Sequence, residues 1–305
     1  MHASVTVRVP GSTSNLGAGF DCVGVAVERW LRLSAQSASG GPPVLLERRG
    51  TLEAVTDPAE ADLLYRGFIA ACRRAGRMDS LPPVVFKAES TIPVARGLGS
   101  SAAALVAGAA AANAMLELGL GPATLAAVCV ELEGHPDNVI AALHGGANLV
   151  LGDGAGLSVA SLVLHPSLAL VLAVPELTVA TKRARDALPD TLPHHVAALA
   201  AAKGAALVHG LASADPASLR TALDDVLHVP YRRSLVPGYD AVVAAARDAG
   251  AYGATLSGSG PTILAVAPLD RRRVAGDAML AAWDRLGVRA EQIVMTRPAA
   301  GYQVE

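Results

Sequence analysis

Between Pro93 and Ala104 the chain reads Pro-Val-Ala-Arg-Gly-Leu-Gly-Ser-Ser-Ala-Ala-Ala, which sets two glycines and two hydroxyls before a long alanine-rich stretch. Glycine reaches positive φ without steric cost and lets the backbone approach a ligand closely. The free N–H groups and positive dipole end at a helix start attract anions. The chemistry favoured here is the cradling of a phosphate. Ser100 and Ser101 are placed to cap a helix that runs through Leu105 and Ala112 to about Leu118. No Lys follows the glycines as the Walker pattern requires, and no Gly-x-Gly-x-x-Gly fingerprint occurs. A nucleotide site built on this segment is therefore neither a P-loop nor a Rossmann site.

Two further glycine-rich segments flank this one along the chain. Val5 to Val9 alternates like a strand and leads into Pro10-Gly11-Ser12-Thr13-Ser14-Asn15-Leu16-Gly17-Ala18-Gly19-Phe20-Asp21. Near the other end, Gly253-Ala254-Thr255-Leu256-Ser257-Gly258-Ser259-Gly260-Pro261-Thr262 precedes the apolar run Ile263 to Val266. Three polar segments carry the remaining chemistry: Glu131-Leu132-Glu133-Gly134-His135-Pro136-Asp137-Asn138, Thr181-Lys182-Arg183-Ala184-Arg185 and His228-Val229-Pro230-Tyr231-Arg232.

These residues need elements to hold them, and hydrophobic periodicity supplies candidates. Helical spacing marks 59–75, 123–133 (opened by Pro122), 194–211, 216–227, 238–249 and 271–286. Strands are expected at 84–88, 158–164, 168–174, 254–256 and 263–266, with a turn at Ala38 to Pro43 between two strand-like stretches. Gly152 to Gly156 reads as a turn near a domain seam. The expected class is α+β in two domains, 1–162 holding the nucleotide site and 163–305 following it.

At 305 residues and 52% hydrophobic, the chain is long enough for two domains with a buried core. A net charge of −2 offers no basic field for nucleic acid or an anionic membrane. No uninterrupted apolar run reaches the ~18 residues of a membrane span, and Met1 to Ser4 leads straight into strand pattern without a signal peptide. Cys22, Cys72 and Cys129 stand at irregular spacing, which argues against a disulfide framework and against a zinc site. The cytoplasm is the expected compartment.

The three glycine-rich segments, in this order, resemble the signature motifs of the kinase superfamily named after galactokinase, homoserine kinase, mevalonate kinase and phosphomevalonate kinase. The segments at Glu131–Val139, Thr181–Arg185 and His228–Arg232 are similar to those of homoserine kinases in particular, and the resemblance spans Val9 to Val266. It implies a small-molecule kinase fold, with a ribosomal-protein-like N-terminal domain, a ferredoxin-like C-terminal domain and the active site between them. It also implies ATP-dependent phosphorylation of the L-homoserine side chain, the step before threonine.

Residue roles follow from the same resemblance. Pro93, Arg96, Gly97, Leu98, Gly99, Ser100, Ser101 and Ala102, with Gly258, Ser259 and Gly260, would surround ATP. Mg²⁺ takes hard oxygen ligands, which the resemblance places at Ser100 or Ser101 and at Glu131, in preference to Glu133. A zwitterionic amino acid requires an anion for its ammonium and a cationic fork for its carboxylate. Asp21 and Asn15 would face the ammonium, while Arg185 and Arg232 would grip the carboxylate. His135 and Asn138 would meet the substrate near its hydroxyl, with Asn138 orienting it, Asp137 as the fallback general base and Thr181 near the reacting region. The chain departs from the family where Ser14 replaces a usual Ala and Ala18 a usual Pro, which bears on loop rigidity. A second copy of the chain is a candidate partner.

Overall fold

The computed structural model describes residues 4–152 and 156–305. In chain order its elements are β1 (Ser4–Asn15), β2 (Gly19–Ser37), β3 (Val44–Gly50), α1 (Leu63–Arg74), β4 (Val84–Ser90), α2 (Ser100–Met115), α3 (Pro122–Glu133), α4 (Asp137–His144), β5 (Ala147–Leu151) and β6 (Ser158–Ser161). The chain continues through β7 (Leu168–Pro175), α5 (Thr181–Asp186), α6 (His194–Ser213), α7 (Pro216–Leu223), α8 (Val229–Arg232), α9 (Tyr239–Asp248), β8 (Gly253–Leu256), β9 (Ile263–Pro268), α10 (Arg272–Asp284), β10 (Ala290–Met295) and β11 (Gln303–Val304).

Two sheets organise these elements, as an α+β chain requires. The first runs β11-β1-β2-β4-β3, with β5 and β6 attached beside β2; the second is the antiparallel β10-β7-β9-β8. Gln303 and Val304 pair with Arg8 and Val7, so the chain's end returns to the first sheet, where a boundary of 163–305 had put it with the second. Gly152 and Gly156 flank the expected seam turn, whose middle lies outside the described residues. The strand expected at 158–164 ends at Ser161.

Helix α2 is the spine of the first half. Alanine is the strongest helix former, and a helix apolar all round belongs in a core rather than at a surface. Leu105, Val106 and Met115 are fully buried, each contributing about 1.5–3 kcal/mol of hydrophobic stabilisation. Both α2 and α4 pack on β1 and β2, while α1 and α3 pack on α2. Gly67 and Gly108 permit the α1–α2 approach, since a Cβ on either would fall 2.2 Å or less from a backbone carbonyl of the other helix. In the second half β7 is buried along its whole length. Its Ala169, Val171 and Ala173 meet Val242, Met279 and Trp283 of α9 and α10, and its alternate residues join Leu207 and Leu211 of α6 in the larger core.

The glycine-rich first segment is less of a loop than its composition suggests. Backbone pairing carries β1 through Asn15, and β2 resumes at Gly19. The hairpin tip between them turns on positive φ at Asn15, Leu16 and Gly17. Ala18 donates its N–H to the Ala222 carbonyl at 3.0 Å, a bond the usual proline could not make, so the tip is pinned to the end of α7. Ser100 and Ser101 are the first two residues of α2 rather than its caps; left-handed Gly99 holds the N-cap position, with no side chain capping. Helix α6 is the one described helix long and apolar enough to cross a membrane, with mean hydropathy 1.4. Lys203 interrupts it, and this buried ammonium donates to the Thr221 and Asp224 carbonyls of the neighbouring α7 turn.

Candidate active site

The three glycine-rich segments meet in space. Ser257 Oγ donates to the Gly97 carbonyl at 2.6 Å and shares a 2.8 Å hydrogen bond with Thr13 Oγ1. Thr262 Oγ1 donates to the Arg96 carbonyl at 2.6 Å, and Gly258 N–H donates to the Ser14 carbonyl. The loop at 93–99 is thereby clamped between the first hairpin and the turn before β9. Gly97 (φ 72°) leaves no room for a Cβ, which would fall 2.2 Å from the Ser257 carbonyl oxygen. At Gly99 (φ 66°) the same atom would sit 2.1 Å from Ser12 Oγ.

Beside this junction lies a cleft of about 270 Å³. Of the predicted nucleotide residues, Pro93 and Arg96 through Ser101 line it, as do Gly258 and Ser259. Ala102 and Gly260 do not; Ala102 faces the core at 0% exposure, and Gly260 packs toward Leu256 and Val236. One wall is apolar, made by Leu52, Val55, Leu63 and Leu64. Sequence reading missed that wall, because its residues come from a short turn and a helix start that carry no motif.

Glu131 is exposed and away from the cleft, so the sequence preference for it is corrected. Glu133 lines the cleft instead and accepts a 2.5 Å hydrogen bond from Ser101 Oγ. The signal was available: Glu133 stands four residues after fully buried Cys129 and seven after buried Ala126, on the inward face of α3. A hydroxyl and a carboxylate, both hard oxygen donors at the phosphate loop, fit a magnesium ion that draws its other ligands from phosphate and water. No group of three or more His, Cys, Asp or Glu that could hold a metal occurs among the described residues.

From Glu133 a polar network runs across the cleft. His135 Nε2 lies 3.7 Å from Glu133 Oε1, and His135 Nδ1 makes a 2.7 Å contact with Asp137 Oδ1. Asp137 Oδ1 also accepts the backbone N–H of Asn138 at 2.8 Å. Asn138 receives a hydrogen bond from Ser12 Oγ at 2.8 Å and gives one to Ser14 Oγ at 3.1 Å. The Ser14 hydroxyl, absent from the usual alanine, therefore helps fix Asn138. Burial alone would raise the Asp137 pKa, but the hydrogen bond and charge of His135, with hydrogen bonds from Ser14 and the Asn138 N–H, bring it below the ordinary carboxylate value. Burial alone would lower His135, yet Asp137 and then Glu133 raise it above the ordinary imidazole value.

The opposite end of the cleft carries fixed charge. Asp21 and Arg185 form a bidentate pair, with Nη1 to Oδ2 at 3.1 Å and Nη2 to Oδ1 at 2.9 Å. Asn15 is buried at the cleft wall, where its Nδ2 donates to the Gly258 carbonyl and its Oδ1 accepts the Asp21 N–H. It thereby ties Asp21 to the hairpin tip, with both residues on the cleft lining. Arg232 is 2% exposed, donates through Nε to the Ala184 carbonyl and stacks 5.0 Å from the Phe20 ring centroid. Among the described residues no carboxylate forms an ion pair with it. Burial first, then the neighbouring Arg185 charge, push its pKa down to about 10. The charges of Asp21, Asp137 and Asp225 offset part of that push, but none pairs with the guanidinium directly, which leaves it open to an anion. Thr181, exposed at the start of α5, also lines the cleft. Cys22 beside the site is a protonated thiol, its pKa raised to about 11 by burial and then by Asp137 and Asp21.

A glycine-rich loop at a helix start faces paired and unpaired charges across one cleft, and comparison with known proteins gives the family in which it occurs. The chain matches the GHMP kinases N terminal domain over residues 62–146 and the GHMP kinases C terminal domain over 207–285. A homoserine kinase of Synechococcus sp. is 38% identical over 302 residues, covering 99% of this chain and 98% of that protein. The chain belongs to the homoserine kinase family of GHMP kinases. A homoserine kinase of Moorella thermoacetica is 41% identical over 93% of this chain and 94% of its own length. The crystal structure of a homoserine kinase from Cytophaga hutchinsonii superposes with a TM-score of 0.88 at 29% identity, covering 100% of this chain and 98% of that one. Mevalonate kinase of L. major, at 15% identity and a TM-score of 0.67, shares the fold alone. The chain is thus a kinase with the two-domain GHMP fold and ATP as phosphoryl donor.

Proposed function

We propose that this kinase transfers the γ-phosphoryl group of ATP to the side-chain hydroxyl of L-homoserine, giving O-phospho-L-homoserine on the way to threonine. One observation carries the reading to this chain's own residues: an unpaired buried guanidinium, Arg232, sits with Asp21 and Arg185 in the cleft that the phosphate loop lines. Mevalonate-like or sugar alcohols carry no ammonium and make no use of Asp21.

Phosphoryl transfer asks a protein for positioning and charge neutralisation more than for covalent chemistry. Backbone N–H groups of 97–101 hold the phosphates. Ser101 and Glu133 would hold Mg²⁺, which when bound neutralises phosphate charge. Arg232 and Arg185 bind the amino acid's carboxylate, Asp21 its ammonium. Asn138, held by Ser12 and Ser14, orients the hydroxyl toward the phosphate. Asp137 acts behind it as an orienting group, its Oδ1 shared between His135 and the Asn138 N–H. The cytoplasm and assembly with a second copy complete the reading.

An ADP-release assay offering L-homoserine, mevalonate, galactose or no acceptor tests it. Turnover should require homoserine and Mg²⁺. Equal turnover with mevalonate would sink the proposal.

A further inference from the structure

Arg232 closes the segment His228-Val229-Pro230-Tyr231-Arg232, and the histidine that opens it is not among the residues lining the cleft. His228 is 0% exposed and holds the N-cap of α8, one turn before Arg232. Its ring lies between unlike partners. Nε2 is 3.2 Å from the Gly17 carbonyl oxygen and 3.7 Å from Asp225 Oδ2, both acceptors. Nδ1 is 3.5 Å from Arg232 Nη1, which can only donate. The tautomer that satisfies both edges carries its proton on Nε2 and keeps the Nδ1 lone pair for the guanidinium. Lysine and arginine have no acceptor to offer there, and an ionised carboxylate has no donor. The Phe20 ring stacks on the imidazole, 5.0 Å between centroids and 19° from parallel, and its centroid is also 5.0 Å from the Arg232 guanidinium carbon.

The surroundings keep the imidazole uncharged. Burial pushes its pKa down; Asp225 and, more weakly, Asp21 pull it up, while the Arg232 charge adds to the fall, and the result lies below the ordinary imidazole value. Asp225 is engaged with the backbone as well, accepting the N–H groups of Leu227, His228 and Val229. The other contacts of Arg232 show what the histidine supplies. Nε donates to the Ala184 carbonyl at 2.9 Å, and Nη1 also reaches the Gly258 carbonyl at 3.5 Å. Among the described residues Nη2 makes no hydrogen bond to the protein. The plane of the guanidinium is therefore set by what holds Nε and Nη1, and a fork whose plane is set in advance loses less freedom when an anion binds.

We propose that His228 is a positioning residue: as a neutral imidazole protonated on Nε2, it ties the first hairpin, through Gly17, to Arg232 and sets the plane in which Arg232 meets the acceptor's carboxylate. The proposal rests on homoserine being the acceptor, and it concerns the binding of that acceptor rather than phosphoryl transfer.

The full-length enzyme is tested by kinetics and by nitrogen NMR. His228→Met, similar in bulk but without the donor and acceptor, should raise the homoserine KM about tenfold while kcat and the ATP KM stay within about threefold. His228→Gln, which offers both an N–H and a carbonyl, should recover most of that loss. In an Arg232→Ala background, His228→Met should add less than about twofold, because the group it positions is gone. Equal fold-losses with and without Arg232, or a His228→Met enzyme in which kcat and both KM values move together, would overturn the proposal. If no His228 variant folds, the wild type decides. Spectra of histidine-labelled enzyme at neutral pH should show His228 with its proton on Nε2 alone, and its Nδ1 signal should move in Arg232→Ala. A proton on Nδ1, or an Nδ1 signal unmoved by loss of Arg232, would overturn the proposal. Absence of homoserine turnover by the wild type would overturn the acceptor reading instead, a separate outcome, since the spectra need no substrate.

Discussion

The two ends of the cleft are built from different materials. At the end proposed for the phosphates the lining is backbone: two left-handed glycines, the open start of α2, and hydroxyls of Thr13, Ser257 and Thr262 that hold the loop from behind. At the end proposed for the acceptor it is side-chain charge: Asp21, Arg185, Arg232 and the His135–Asp137 pair. The difference follows from the ligands. Phosphate groups are alike in every nucleotide, so a fixed array of N–H donors and a helix dipole serves them. An amino acid is distinguished by where its opposite charges lie, which only placed side chains can read.

If the contrast is right, damage at the phosphate end should strike kcat, and damage at the acceptor end should strike homoserine KM. The largest effect is expected at Gly97→Ala, where the added methyl meets an immovable backbone carbonyl. Displacing the loop by even 1 Å is enough to lower kcat by roughly 10²-fold, and thermal unfolding should show that the fold survives. Glu133→Gln comes next: kcat should fall about tenfold or more and the Mg²⁺ concentration for half-maximal rate should rise, whereas Glu131→Gln should change neither. Similar losses in both variants would return Glu131 to the site.

At the other end, Arg232→Ala should raise the homoserine KM by about 10- to 100-fold, the equivalent of ~1.5–3 kcal/mol for a charged hydrogen bond, and leave the ATP KM nearly unchanged. Lysine should not restore it, because a point charge does not replace the guanidinium fork on Phe20. The smallest effect is assigned to Asp137→Asn, which should cost less than the ~10²-fold that begins the range for losing a general base. A larger loss, with an acidic limb of the rate profile that disappears in the variant, would make Asp137 the base and blur the contrast.

The phosphate end was the more legible in sequence, and for the same physical reason. Glycines and serines at 97–101 and 257–262 announce a backbone geometry locally, without reference to distant residues. Charges do not. Arg185 and Arg232 look like the solvated Arg183 and Arg233 beside them, and only the fold separates buried Arg232 from its exposed neighbour. That Asp21 reaches Arg185 across 164 residues is a tertiary fact. Glu131 and Glu133 differ by two positions, which on a helix is more than half a turn, so choosing between them needed the inward face of α3 to be traced through Ala126 and Cys129. Strand β1 through Asn15 and the return of β11 were likewise hidden, the first behind turn-like composition, the second because two residues carry no periodicity.

The central claim is that both ends act on one molecule, a phosphoryl donor at the backbone cradle and L-homoserine at the charges. Phosphorus NMR of a reaction with ATP, Mg²⁺ and L-homoserine tests it most directly, by identifying what is made. One phosphomonoester on the homoserine side-chain oxygen should appear for each ADP formed. ADP accompanied by inorganic phosphate alone, or an equal yield of phosphoester from mevalonate, would contradict the account.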